Sequence, residues 1–553
     1  MIGQMLAVTS DAEAQRYREI NQWKDETIFD RFRGAARICP EKIALICGQE
    51  EITYGELLAK VEALASNFVG DGIQPGEIVA VQMPNSIFQP LTHLALNAIG
   101  AVYMPLHDAF RQAEIGHLMA KASAVAVVMP NTYGGEDYPA MYEEAASNLP
   151  ELRKRYSVGG TGIHTEPFED LLELSNETAP TSNFDQGKSD DIGHIMLSSG
   201  TTSMPKISVF TNNNILSMMD SFADMVHLSV EDVAAALAPM GTGATGYVFP
   251  VLPMLLVGGT SFILERWKEP QAAVDLITKN GCTFATAIPT QITLMLPFIE
   301  QTTSENFADF RCFNNAGAPL SHEAACQIEA AMGCRVQSIY GTTDGGVPCM
   351  VSIDDPEEKR TSTVGRALPG RSVELRDRDG NQVPTGQAGE ICWKTPDKSY
   401  GYLNDMEAAR DAFDSRGYYK SGDLAKIDDR GFFSIVGRVK DMILRGGQNI
   451  SPRRIEEMME VHPKILEVAV AAMPDKRLGE RACAFAVLKG GQSLSLAEVV
   501  SFLEEKKIVK WQFPERLEIL DELPRSPGGK ISKDKLTEFV ANKMNQEIEG
   551  EAL

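Results

Sequence analysis

The chain of 553 residues predicts an α/β fold, a large region of helix-covered sheets followed by a small α+β domain. Three observations carry this. Helical and strand-like periodicities alternate from Tyr54 onward, a long uncharged stretch in the middle is broken by proline and glycine, and the texture changes near Gly437.

From Tyr54 to Phe68 the residues Leu57, Leu58, Val61, Leu64, Ala65 and Phe68 fall at helical spacing, and Ile78-Val79-Ala80-Val81 follows as a strand. The alternation recurs through Leu91–Met104 and Ile115–Val128, which predicts parallel strands covered by helices rather than an all-β or bundle fold. The polar, turn-rich interval 159–191 reads as a surface connection leading to the strand end Ile195-Met196-Leu197. The uncharged run from Val233 to Leu264 exceeds the roughly 20 residues a membrane span needs. Its Pro239, Pro250 and Pro253, with Gly241, Gly243, Gly246, Gly258 and Gly259, would leave backbone groups unpaired in lipid, so buried strands, a short helix and turns are expected. Near Gly437, strand-like Phe432–Val436 gives way to the charged, glycine-paired Asp441–Ile450. Ser451 and Pro452 then suit the N-cap and first turn of a helix over Arg453–Val461, followed by strands at Val468–Ala472 and Ala482–Leu488. The expected division is 1–438 and 439–553.

A formal net charge of −24 disfavours nucleic acid or an anionic membrane as the main partner, so an anionic ligand must be met by locally placed basic groups. Nine cysteines form no CxxC pair and no Cys/His cluster at zinc spacing, which reads as free thiols in a reducing compartment. Met1–Gln15 has neither the basic start nor the apolar core of a secretory signal, and a cytoplasmic location is expected. The histidines form no triad or ligand spacing and read as structural or surface residues.

The segment with the sharpest chemistry is Ser198-Ser199-Gly200-Thr201-Thr202-Ser203-Met204-Pro205-Lys206. Hydroxyls, a flexible backbone and an ammonium at the end of a buried strand suit an anion such as phosphate. Pro205 stands where a Walker loop has glycine and has no N–H to donate, which excludes a P-loop NTPase. Further on come Gly317-Ala318-Pro319-Leu320, Tyr340-Gly341-Thr342-Thr343-Asp344, Ser421-Gly422-Asp423, Gly437-Arg438-Val439-Lys440-Asp441 and Pro524–Lys530. Tyr340 beside Gly341 offers a flat ring next to an approachable backbone, suited to stacking on a base, and Asp423 can accept bonds from two vicinal hydroxyls. Lys530, after Gly528-Gly529, is a flexible ammonium able to reach into a cleft.

In order and spacing these motifs resemble the AMP-forming adenylating enzymes, the superfamily of acyl- and aryl-CoA synthetases, peptide-synthetase adenylation domains and firefly luciferase, over about residues 28–540. The resemblance is nearest to the acid–CoA ligases. It implies a β-barrel-like part within the large domain and a mobile small domain. It also implies ATP and Mg²⁺ as cofactors, with coenzyme A or a carrier protein's phosphopantetheine as thiol. The phosphate loop would hold the β,γ-phosphates through Ser198, Ser199, Gly200, Thr201, Thr202 and Lys206, and Gly317, Ala318, Pro319, Tyr340, Gly341 and Thr342 would frame adenine. Asp423 and Arg438 would bind ribose, and Thr343 and Asp344 would serve catalysis, with Asp344 on the metal. Lys530 would bridge carboxylate and phosphate, Lys440 would be the hinge, and Gly446 and Gly447 would leave room for pantetheine.

The implied reaction has two halves. A carboxylate attacks ATP to give an acyl adenylate and pyrophosphate; a thiol then displaces AMP. Departures from the family pattern fall on the first half: Ser203 and Ile207 stand where glycine is usual, and Asp344 where glutamate is. Around the expected acyl pocket, Met240, Gly241, Thr242, Gly243, Thr245, Tyr247, Ile288 and Pro289 include no charged side chain, which argues against an amino-acid substrate. The glycines suggest room for a bulky alicyclic, aromatic or long acyl group. The expected function is a carboxylic acid–CoA ligase. Its alternatives are an acid–AMP ligase that loads a carrier protein and a homologue that has lost adenylation and only binds adenylate or forms thioester.

Overall fold

The computed structural model describes residues 5–173, 187–198, 204–446, 448–506, 509–525 and 531–551. The chain forms two compact units, Met1–Val373 with Trp393–Tyr419, and Glu374–Cys392 with Lys420–Leu553.

The larger unit is built on two mixed sheets. One runs in the order Gly401–Tyr402, Lys206–Thr211, Ile192–Ser198, Val102–Pro105, Ile78–Val81, Ala126–Pro130, Lys154–Val158, Glu166–Pro167. From Ile192–Ser198 onward its neighbours are parallel. The other holds six consecutive parallel strands, Arg335–Thr342, Cys312–Ala316, Phe284–Ala287, Val233–Ala236, Thr260–Ile263 and Ile43–Cys47, between antiparallel edges.

The expected helices form where periodicity placed them. In Tyr54–Gly70, Thr53 and Glu56 make a reciprocal capping box, and Leu57, Val61, Leu64 and Phe68 are fully buried on one face. The uncharged run resolves into the strand Val233–Ala236, two tight helical turns at Met240–Thr242 and Ala244–Val248, the helix Leu252–Val257 and the strand Thr260–Ile263. Among the described residues no helix is long and apolar enough to cross a membrane. The interval 159–191 departs from a pure surface connection: Glu166–Pro167 extends the sheet, and Phe168 and Leu172 are buried.

The smaller unit carries a sheet ordered Gln448–Ile450, Ile443–Arg445, Gly479–Leu488, Ile465–Asp475, with Arg516–Ile519 added beside Gly479–Leu488. Helices Pro452–Glu460, Leu496–Glu505 and Lys533–Glu551 belong to the same unit. Pro452 opens its helix as expected, but Ser451 makes no capping bond. Its hydroxyl donates instead to Val436 O at 2.5 Å. Where a barrel-like part of the large domain was expected, Ser372–Arg376, Gly389–Lys394, Tyr419–Ile427 and Phe433–Arg438 form an open four-stranded sheet, most of whose residues belong to the smaller unit.

Candidate active site

The two ends of the phosphate segment lie on antiparallel strands, in which Ser198 pairs with Lys206 and Met196 with Ser208. Ser199, Gly200, Thr201, Thr202 and Ser203 lie outside the described residues. At the hairpin mouth the Ser198 hydroxyl is buried with no partner among the described residues, the condition of a group placed for a ligand. Lys206 Nζ stands 5.2 Å from the centre of the Tyr402 ring. Ile207 points away from this face, fully buried in the apolar cluster that holds Ile195, Val209 and Leu403. That departure from the family pattern therefore fills core.

Asp344 reaches the same hairpin. Its carboxylate accepts from Ser208 Oγ at 2.9 Å and from Tyr402 OH at 2.7 Å. Burial and the adjacent carboxylate push the Tyr402 phenol well above its ordinary pKa, so Tyr402 is the donor at neutral pH. Each carboxylate oxygen keeps a further lone pair, and Asp344 is only 9% exposed. Among the described residues no three of His, Cys, Asp or Glu converge. Asp344 thus fits a cation such as Mg²⁺ that takes most of its ligands from phosphate and water.

The residues expected to frame a base lie in the same unit. Tyr340 is half-buried and meets Trp393 edge-on, centroids 5.8 Å apart, while Trp393 Nε1 donates to Gly345 O at 2.7 Å. Gly317, at φ 87°, continues from the strand Cys312–Ala316, and Asn315 Nδ2 donates to Ala318 O at 3.1 Å across this turn. A Cβ added at Gly317 would lie 3.6 Å from Ile288 and 3.9 Å from Thr245, which brings the expected adenine wall and acyl pocket side by side. Thr342 Oγ1 accepts from Gly345 N, which fixes the turn carrying Thr343 and Asp344.

The pocket glycines are not equivalent. A Cβ at Gly246 would lie 2.0 Å from Pro239 O, and one at Gly241 2.6 Å from Leu106 O, so these two permit close backbone packing and open no space. Gly243 has only Met196 within 4 Å of such an atom, at 3.9 Å. Met240 and Tyr247, expected to line the acyl pocket, are completely buried and belong to the apolar core. Tyr247 OH bonds His93 Nδ1 at 2.7 Å, and His93 Nε2 bonds His194 Nδ1 at 3.2 Å. Burial lowers both imidazoles, His194 to about 3, so both are neutral structural groups. The Thr242 side chain lies outside the described residues. Asn85 ties the pocket loop down: it accepts from Met240 N at 2.7 Å and donates to Ala238 O and Leu264 O.

The remaining expected residues lie in the smaller unit. Asp423 and Arg438 are register partners, and Arg438 Nε donates to Asp423 Oδ1 at 2.7 Å, so the two ribose candidates bond each other. Gly422 holds φ 69° immediately before Asp423. Lys440 Nζ is 3.8 Å from Asp534, both well exposed. Gly446 donates to Leu478 O at 2.8 Å. Gly447 and Lys530 lie outside the described residues.

Sequence reasoning missed Ser208, Tyr402, Asn85 and Trp393. A serine in a strand and a tyrosine near a turn give no signal alone; their roles follow from partners 136 and 58 positions away for the first two.

Known proteins bear on this arrangement directly. The AMP-binding enzyme family matches residues 32–403 and the AMP-binding enzyme C-terminal domain matches 454–530. The chain is 31% identical over 534 residues to a medium-chain fatty-acid–CoA ligase of Escherichia coli, covering 96% of this chain and 94% of that protein. It is 29% identical over 540 residues to a 2,3-dihydroxybenzoate-AMP ligase of Bacillus subtilis, covering 97% of each. The fold superposes on ATP-bound MatB from Rhodopseudomonas palustris with a TM-score of 0.83 at 26% identity, covering 93% of this chain and 98% of that one. With the hairpin, the Asp344 turn and the Gly317 wall gathered in one unit, the chain belongs to the AMP-binding enzyme family.

Proposed function

We propose that the chain is an ATP-dependent carboxylic acid–CoA ligase acting through an acyl adenylate. The observation that carries this reading is that the larger unit holds all three parts: the Ser198–Lys206 hairpin mouth, the Asp344 carboxylate tied to it, and Gly317 facing Ile288 and Thr245. In the first half a carboxylate oxygen of the acid bonds to the α-phosphorus of ATP, and pyrophosphate leaves with the electron pair of the broken P–O bond. Lys206, Ser198 and the residues 199–202 bind the β,γ-phosphates, Tyr340 and Gly317–Pro319 frame adenine, and Asp423 with Arg438 holds ribose. Asp344 and phosphate oxygens would hold Mg²⁺, which when bound neutralises phosphate charge. Lys530 supplies positive charge between the two reacting anions, typically worth about 3 kcal/mol or more of barrier. In the second half a thiol sulfur bonds to the acyl carbon and AMP leaves with the electron pair of the C–O bond. Lys440 serves as the hinge between the halves, and Gly446 and Gly447 give the pantetheine arm room.

The acid is apolar and larger than acetate. No charged residue is among the pocket positions, and the relatives named above act on a medium-chain fatty acid and on an aryl acid. The space open to it adjoins Gly243, Thr245, Ile288 and Pro289, since Gly241 and Gly246 are filled by backbone. A panel of acids assayed for AMP release with CoA, and in parallel with a holo carrier protein, tests the reading. Highest kcat/KM for medium-chain or aryl acids with CoA is expected. Turnover only with the carrier protein would favour the acid–AMP ligase alternative, and turnover highest on acetate would refute the pocket assignment.

A further inference from the structure

Ser208 and Tyr402 stand opposite each other in the antiparallel pairing of Lys206–Thr211 with Gly401–Tyr402. Cross-strand partners carry their side chains on one face, with Cβ atoms about 5 Å apart. Two hydroxyls so placed can each bond one oxygen of a single carboxylate lying between them. Asp344 fills that position, Oδ1 on Ser208 and Oδ2 on Tyr402. The donors are fixed by packing, because both residues are fully buried. Moving the carboxylate elsewhere would leave two buried hydroxyls unpaired. Asp344 is also held through its backbone, whose carbonyl accepts from Ser399 N at 2.9 Å.

We propose that Ser208 and Tyr402 are positioning residues that clamp the Asp344 carboxylate for the divalent cation accompanying ATP. Resting on the ligase reading above, this explains how a side chain one methylene shorter than glutamate serves there. The cation demands near-ideal geometry, and two hydroxyl donors fix the orientation of both oxygens. Lys206, docked over the Tyr402 ring, ties the clamp to the phosphate side of the same hairpin.

The test is binding, separate from turnover. Mn²⁺ is titrated by electron paramagnetic resonance into the full-length protein with saturating ATP and no acid, and ATP affinity is measured apart in EDTA. Melting curves confirm that Ser208→Ala and Tyr402→Phe are folded. The clamp predicts that each weakens Mn²⁺ about tenfold or more while leaving ATP affinity in EDTA unchanged, a split that general loosening of the fold would not give. Wild-type Mn²⁺ affinity in folded Ser208→Ala, alongside loss in Asp344→Asn, would overturn the clamp and leave the ligase reading intact. Absence of ATP binding by the wild type would overturn both.

Discussion

Lys398 shows how much a single buried charge asks of its surroundings. Its side chain has no exposed surface, and burial lowers its pKa from 10.5 to about 8 even with Glu13 Oε1 3.6 Å away. Between those two values the unfolded chain holds a proton that the folded protein has released, so stability rises with pH across that window and is constant below it. The shift corresponds to about 3 kcal/mol, as an order of magnitude. Calorimetry on wild type and Lys398→Met should therefore show the wild type gaining relative stability as the pH rises from about 8 toward 10.5. A constant difference would mean that Lys398 is less desolvated than its position indicates. Nothing in the sequence near Ser399 announces that Glu13 lies beside this lysine. Asp344 poses the opposite case: the motif placed it, but only its partners explain the missing methylene.

At the scale of elements, helix Tyr54–Gly70 was legible because its apolar residues repeat at one helical face and its cap is local. Leu64→Ala in its buried face should cost about 2–5 kcal/mol, and Thr53→Ala, which removes the capping box, about 1 kcal/mol. Differential melting of the two variants reads this order, and a reversed order would place the helix's support in its end rather than its packing. Parallel strands were legible for a similar reason, since continuous apolar runs separated by amphipathic helices leave few other folds. What escaped was short or tertiary. The edge strand Gly401–Tyr402 has no pattern of its own and exists through its pairing with Ser208 and Val209. Ser451 was placed at the right position, but its hydroxyl bonds Val436, a partner 15 residues away. The pocket glycines read alike in sequence; only packing separates Gly246 against Pro239 from Gly243.

For the whole molecule, the two units divide the expected chemistry. Phosphate, base and acyl candidates sit in the larger, and Asp423, Arg438, Lys440 and Gly446 in the smaller. The proposed reaction needs both, which is why motifs spread from Ser198 to Lys530 are required to recognise it. Negative charge overall, −24, makes the few cations at the hairpin and in the motifs the natural sites for a polyanionic nucleotide. In the proposed reaction a carboxylic acid is activated as its adenylate before any thiol is involved. Acid-dependent exchange of labelled pyrophosphate into ATP, without CoA, measures that half alone. Rapid exchange with a medium-chain or aryl acid is expected, with a loss of about a hundredfold or more in Lys530→Ala. No exchange by the wild type with any acid, while supplied acyl adenylate is still converted to thioester, would contradict it.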